Sequence, residues 1–191
     1  MLKKTFAVIA VLFCMCSWHR ASAQDYAFGI ANSFKGVGVV FEHTRAEYCF
    51  NSFQLGMDMY GMPTGRSHYP GGRFSFSHNI IFDEFERNGV VCDFYWGAGF
   101  SAGYVHDFEK GTFAVSGGTV LRKNYGAMAA LSGSCGARLI YRGAFCIDLR
   151  FMGEFGLHMR QDEIQGNIDL SCYINGLIRT IYPEIHINSM F

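Results

Sequence analysis

Charge is the first thing this sequence is short of. Lys, Arg, Asp and Glu make up 17% of its 191 residues, against roughly a quarter in an ordinary soluble protein. The two signs balance at 16 residues each, and no basic run interleaves with aromatics, so nothing resembles a nucleic-acid footprint. Long apolar runs are missing as well. The unbroken stretch from Phe6 to Cys16 holds eleven residues, far below the roughly 20 that a membrane-spanning helix needs.

Chemical motifs are equally scarce. There is no CxxC pair and no His at ligand spacing, which leaves no local zinc site, and no phosphate loop, nucleophile elbow or HExxH. The stretch "GAGFSAG" at 97–103 has the glycines of a nucleotide loop, but they keep strand phase and no helix follows. No metal, cofactor or catalytic residue is therefore read. The nearest approaches to a Ser–His arrangement are His106, Asp107 and Ser116 in one loop, and Ser77 beside His78. Neither has the spacing of a recognised motif.

The N-terminus reads as a secretory signal over 1–23. Lys3 and Lys4 precede the apolar run, and Ala21, Ser22 and Ala23 supply a small-x-small pattern before Gln24. Bulky Phe13 and Met15 stand before Cys14 and Cys16 and disfavour lipid attachment there. Removing Lys3, Lys4 and Arg20 leaves 13 basic residues against 16 acidic, so the mature chain, 24–191, is mildly acidic and long enough for one domain. It keeps Cys49, Cys92, Cys135, Cys146 and Cys172. An odd number scattered along strands reads as packing residues and not as a disulfide framework.

What is present is alternation. In "FCIDLRFMGEFGLHM", 145–159, Phe145, Ile147, Leu149, Phe151, Phe155, Leu157 and Met159 share one parity, while Asp148, Arg150, Glu154 and His158 share the other. That is the period-two signature of a strand with unlike faces. Helix-period segments are absent from the mature chain, and eight such strands are expected: 25–34, 36–44, 49–60, 73–82, 91–105, 125–141, 145–159 and 181–191. "IDLSCYI" at 168–174 is expected as an extension within the last long loop. The connections after the third, fifth and seventh strands are long and fall on one end; those after the second, fourth and sixth are short, the tightest at Arg142 and Gly143.

Alternation alone does not say which face is inside, since soluble barrels and sandwiches alternate as well. Several strands exceed 12 residues, ample for the 9–11 or so of a tilted membrane strand. Gly, Ser and Ala dominate the less apolar face of several strands, which suits a narrow lumen. Tyr26, Phe28, Phe82, Phe94, Tyr104, Tyr125, Tyr141 and Phe145 recur near strand ends on the apolar face, where interfacial girdles belong. The chain ends "EIHINSMF" on Phe191. In these features it resembles the small bacterial outer-membrane β-barrels of the OmpA and OmpX type, with Ser189 standing where an aromatic is common.

The resemblance implies an all-β, eight-stranded antiparallel up-and-down transmembrane barrel in the cell outer membrane. Its partners would be lipid and, through the strand ending at Phe191, the barrel-assembly machinery. The inward parity then collects a lumenal charge network of Asp93, Arg138, Asp148, Arg150, Glu154 and His158, with Arg138 and Asp148 expected as an ion pair across the tight turn. Several functions fit this frame: a structural or interaction barrel acting through its outer loops, a narrow pore, an outer-leaflet lipid-modifying enzyme, or, with the apolar face inside, a soluble periplasmic ligand-binding barrel.

Overall fold

The computed structural model describes residues 25–46, 48–59, 62, 69–106, 125–161, 168–175 and 181–191. The reading of 1–23 as a signal peptide lies outside them. Nine strand segments are present among the described residues: β1 (Tyr26–Ser33), β2 (Gly36–Ala46), β3 (Cys49–Asp58), β4 (Gly71–Arg87), β5 (Val90–His106), β6 (Tyr125–Tyr141), β7 (Phe145–Gln161), β8 (Ile168–Asn175) and β9 (Ile181–Met190). Each of β1 to β7 pairs antiparallel with the next, and β9 lies between β7 and β1, so the sheet closes on itself. The eight-stranded barrel expected from the sequence is the fold observed, and closure excludes a sandwich.

The ninth segment completes the eighth stave. β7 pairs with β9 along Phe145–Gly153 and with β8 along Glu154–Gln161. Adjacent residues Gly153 and Glu154 thus face Ile181 and Asn175, with residues 176–180 inserted between the two halves. The "IDLSCYI" stretch is therefore the upper half of a stave.

Register fixes the tilt. Stepping across paired residues from Ile30 through Val39, Leu55, Phe74, Ala102 and Ala129 leads to Leu157 on β7. The short way, through Ile187, leads to Ile147. The offset between 157 and 147 is ten residues, a stagger that tilts eight strands by about 40°.

Side chains sort as the parity demands. Phe28, Phe41, Phe53, Phe76, Phe100, Leu131 and Phe155 are successive register partners on seven strands and form one apolar row around the outside. Their rings pack at centroid distances of 6.3 Å (Phe41–Phe53), 5.0 Å (Phe53–Phe76) and 5.7 Å (Phe76–Phe100). The next row holds the polar outer residues His43, Asn51 and His78. His78 Nδ1 lies 2.7 Å from Asn51 Oδ1, and His43 stacks on Tyr26 at 4.8 Å.

Two expectations change. β4 runs on to Arg87, five residues past its expected end at 82. A register shift between Ile81 and Asp83 breaks the parity there, and Phe82 to Arg87 are all exposed; the charged "DEFER" is a protruding hairpin arm that alternation could not reveal. Ser77 and His78, adjacent in sequence, lie on opposite faces: Ser77 is buried and accepts from Asn79 Nδ2 at 3.1 Å, while His78 meets Asn51 outside. They form no catalytic pair. Asp107 and Ser116, and the side chain of His106, lie outside the described residues.

The short turns carry left-handed residue pairs, in a two-residue loop between β4 and β5 and a three-residue one, 142–144, between β6 and β7. Asn88 and Gly89 have φ of 55° and 75°, and Arg142 and Gly143 have 49° and 64°, the positive pair whose twist matches that of the strands. Arg142 N donates to Gly89 O at 2.9 Å, which holds the two turns together. Inside the wall, a Cβ on Gly99 would stand 1.8 Å from Phe76 O, whereas one on Gly133 would meet nothing within 4 Å. Gly99→Val should abolish the folded, gel-shifted form of the barrel and Gly133→Ala should leave it intact, as read on SDS gels with and without boiling.

Candidate functional site

The lumen holds a dense cluster of charge in this charge-poor chain. Among the described residues, Lys35, Arg73, Arg138 and Arg150 are buried there, against six carboxylates: Glu42, Asp58, Asp93, Asp148, Glu154 and Glu184. Eight strands leave an interior only wide enough for side chains to fill, so these groups are forced on one another instead of being solvated.

The upper layer is built from the β1–β2 turn and strands β4, β7, β8 and β9. Lys35 folds inward, its Nζ 2.8 Å from Glu154 Oε2 and 3.3 Å from Tyr173 Oη, and packs over the Tyr182 ring at 4.4 Å. Arg73 Nη1 donates to both Glu154 oxygens at 3.2 and 3.1 Å and to Tyr182 Oη at 2.8 Å. The Tyr182 hydroxyl in turn donates a hydrogen bond to Met152 Sδ at 3.1 Å. Above this layer Val105, Met128, Ala130 and Tyr173 form an apolar cap.

Glu184 joins the two layers. One of its oxygens lies 3.4 Å from Arg73 Nη2, and the other lies 3.3 Å from His186 Nε2. Below it, Arg150 donates through Nε to Asp148 Oδ2 at 3.0 Å, through Nη2 to the same oxygen, and through Nη2 to Glu42 Oε1 at 3.3 Å. Tyr95 Oη donates to Asp148 Oδ1 at 2.7 Å. Arg138 Nη2 lies 3.8 Å from Glu42 Oε2, with its guanidinium over the Phe50 ring at 4.0 Å. Beneath, Ala27, Cys146 and Met190 close the bottom with apolar contacts. A ladder of alternating charge thus descends from Lys35 at one rim to Arg150 and Arg138 near the other.

All six residues of the expected network are buried in the lumen: Asp93, Arg138, Asp148, Arg150, Glu154 and His158. Three details differ from expectation. Arg138 and Asp148 are register partners, yet Arg138 pairs with Glu42, while Arg150 and Tyr95 hydrogen-bond the two oxygens of Asp148. Asp93 stands opposite Arg138 in register but forms no salt bridge, and its Oδ1 has no hydrogen-bond partner. His158 belongs to the upper cap, its Nε2 3.2 Å from Val105 O and its ring beside Tyr173.

Six acidic, basic or histidine members were not singled out from the sequence: Lys35, Glu42, Asp58, Arg73, Glu184 and His186. Five had a signal in parity, since Glu42 alternates with Phe41, Asp58 with Met57, Arg73 with Phe74, and Glu184 and His186 with Ile185 and Ile187. Lys35 had none, because a turn residue has no phase.

No family model and no curated protein matches this chain. Among solved structures, the N-terminal β-barrel domain of Pseudomonas aeruginosa OprF is similar, with a TM-score of 0.53 and 12% sequence identity over 88% of this chain and 98% of that one. The likeness is one of fold, and it bears out the resemblance to the small outer-membrane β-barrels.

Replacing one partner of a buried pair leaves the other uncompensated, at about 3–5 kcal/mol. Arg150→Met should lower stability by about that amount, since Asp148 and Glu42 both lose a donor, and Arg138→Met should cost less, since Glu42 keeps Arg150. Urea unfolding in detergent micelles, followed by tryptophan fluorescence, separates the two; equal losses would contradict this ranking.

Proposed function

We propose that this chain is an outer-membrane barrel with a structural or interaction role, presenting the connections of one rim outside the cell and acting neither as a general diffusion pore nor as an enzyme. The observation that carries the reading is the inverted distribution of polarity. The face left open to the surroundings is apolar on strand after strand, with Leu131 73%, Phe155 62% and Leu55 62% exposed, while the buried face holds the charges. In water, an apolar surface encircling the whole molecule would aggregate. In hydrocarbon it is the favourable arrangement, and closure through β1 and β9 satisfies the backbone edges there, with β8 alone among the described strands paired on one side only. His43, Asn51 and His78 on this face contact one another or Tyr26, which limits their cost there.

Both chain ends of the barrel lie at the rim of short turns, where Tyr26 N and Phe191 N exchange hydrogen bonds with the opposite carbonyls at 3.2 and 2.9 Å. This rim would face the periplasm, with Phe191 in the strand that the assembly machinery engages. The β3–β4, β5–β6 and β7–β8 connections would then stand outside, where binding residues on such scaffolds concentrate. The lumen, blocked by the charge ladder and its two apolar ends, supports a closed barrel.

The full chain expressed in a Gram-negative host should stay in the envelope after alkaline carbonate extraction and migrate faster on SDS gels when unboiled. Release into the soluble fraction without a heat-dependent shift would overturn the membrane reading and favour a periplasmic ligand-binding barrel. Reconstituted in a planar bilayer, the barrel should show no sustained conductance of diffusion-pore size; steady conductance abolished by altering Glu154 would overturn the closed lumen.

A further inference from the structure

The buried charges of the lumen do not balance. Six carboxylates against four cations leave two negative charges among the described residues when His158 and His186 are neutral. Burying unneutralised charge is costly, so the place where positive charge is most needed is a chemical question. Three ligand-type groups converge below Glu184: Glu42, Asp148 and His186, each fully or almost fully buried, offer atoms that all lie within 4.8 Å of one another.

His186 makes the arrangement specific. Its Nε2 faces Glu184 Oε2 at 3.3 Å. A carboxylate can only accept, so Nε2 carries the proton and the lone pair of the neutral ring is on Nδ1. That Nδ1 has no hydrogen-bond partner and points between two carboxylates, 3.9 Å from Glu42 Oε1 and 3.8 Å from Asp148 Oδ2. A bare lone pair directed at two anions is repulsive, and either a proton on Nδ1 or a metal cation between the three groups relieves it. Glu42 Oε2 is likewise buried without a hydrogen-bond partner. A carboxylate that accepts from a histidine's remote nitrogen is the usual outer support of a metal-bound imidazole, and Glu184 holds that position.

We propose that Glu42, Asp148 and His186 form a lumenal binding site for one divalent transition-metal ion, of which zinc is the representative. Two carboxylate oxygens and one imidazole nitrogen are a donor set suited to it. With bonds of about 2.0–2.2 Å, neighbouring ligand atoms stand about 3.0–3.6 Å apart, so the three ligand atoms, now within 4.8 Å of one another, have to draw together by up to about an ångström on binding. Arg150 does not have to leave, because each carboxylate oxygen it touches keeps a second lone pair. The site rests on the closed barrel alone and stands whether the outer face meets lipid or not.

The test uses the full chain, purified as the folded barrel, stripped with chelator, equilibrated with zinc chloride both during refolding and afterwards, and freed of loose metal. Elemental analysis should find about one zinc per chain, with a higher temperature for loss of the gel-shifted form. His186→Gln should weaken zinc retention at least tenfold, while Asp93→Asn, which removes a lumenal negative charge but no proposed ligand, should retain it. Folded wild-type protein that holds no zinc under either loading, or His186→Gln that holds as much, would overturn the site. Should His186→Gln fail to fold, zinc-edge X-ray absorption of the wild type decides: imidazole scattering is expected, and an all-oxygen or sulfur shell would overturn the assignment.

Discussion

Everything in this molecule follows from closing a hydrogen-bonded sheet on itself. A strand edge carries a row of backbone donors and acceptors, and the pairing of β1 with β9 removes the edge that an open sheet would keep. Closure at eight strands with a ten-residue stagger then fixes the bore, and the bore decides what the inside can contain. Little room is left to hydrate an isolated charge, so most ionised groups on the inward parity pair across the barrel, Asp93 being an exception among the described residues.

The lumen shows how that requirement is met. Long side chains from distant strands meet at its centre: Lys35 reaches Glu154 and Arg150 reaches Glu42 over separations of more than a hundred residues in sequence. Glu184 connects the upper and lower layers because its two oxygens face opposite ways along the axis. Such pairs need not stabilise the fold in sum, since desolvation offsets attraction. What they provide is a filled interior with fixed geometry, in which His186 Nδ1 is one of several buried polar atoms left without a hydrogen-bond partner.

Much of the architecture was legible in the chain. Period-two alternation located the strands, and six ends agree with the structure to the residue, among them both ends of β6 and the starts of β2, β3, β7 and β9. Legibility failed where period-two failed. The bulge at Ile81–Asp83 hid the rest of β4, and the interruption at 176–180 disguised β8 as part of a loop. At the site, parity correctly sent Asp148, Arg150 and Glu154 inward, but it could not rank partners. Arg138 stands opposite Asp148 in register and still pairs elsewhere, because a guanidinium several bonds long follows the nearest available carboxylate and not its own strand neighbour.

The sequence by itself therefore determined the class of element, the identity of each face and the concentration of charge on the inward one, since these depend only on neighbours two residues apart. The tertiary structure alone decided which charges meet, that Lys35 caps the upper layer, and that Glu42, Asp148 and His186 converge. Those contacts join β2, β7 and β9, and the distance between them is set by strand number and stagger, which are properties of the closed ring and of no single segment.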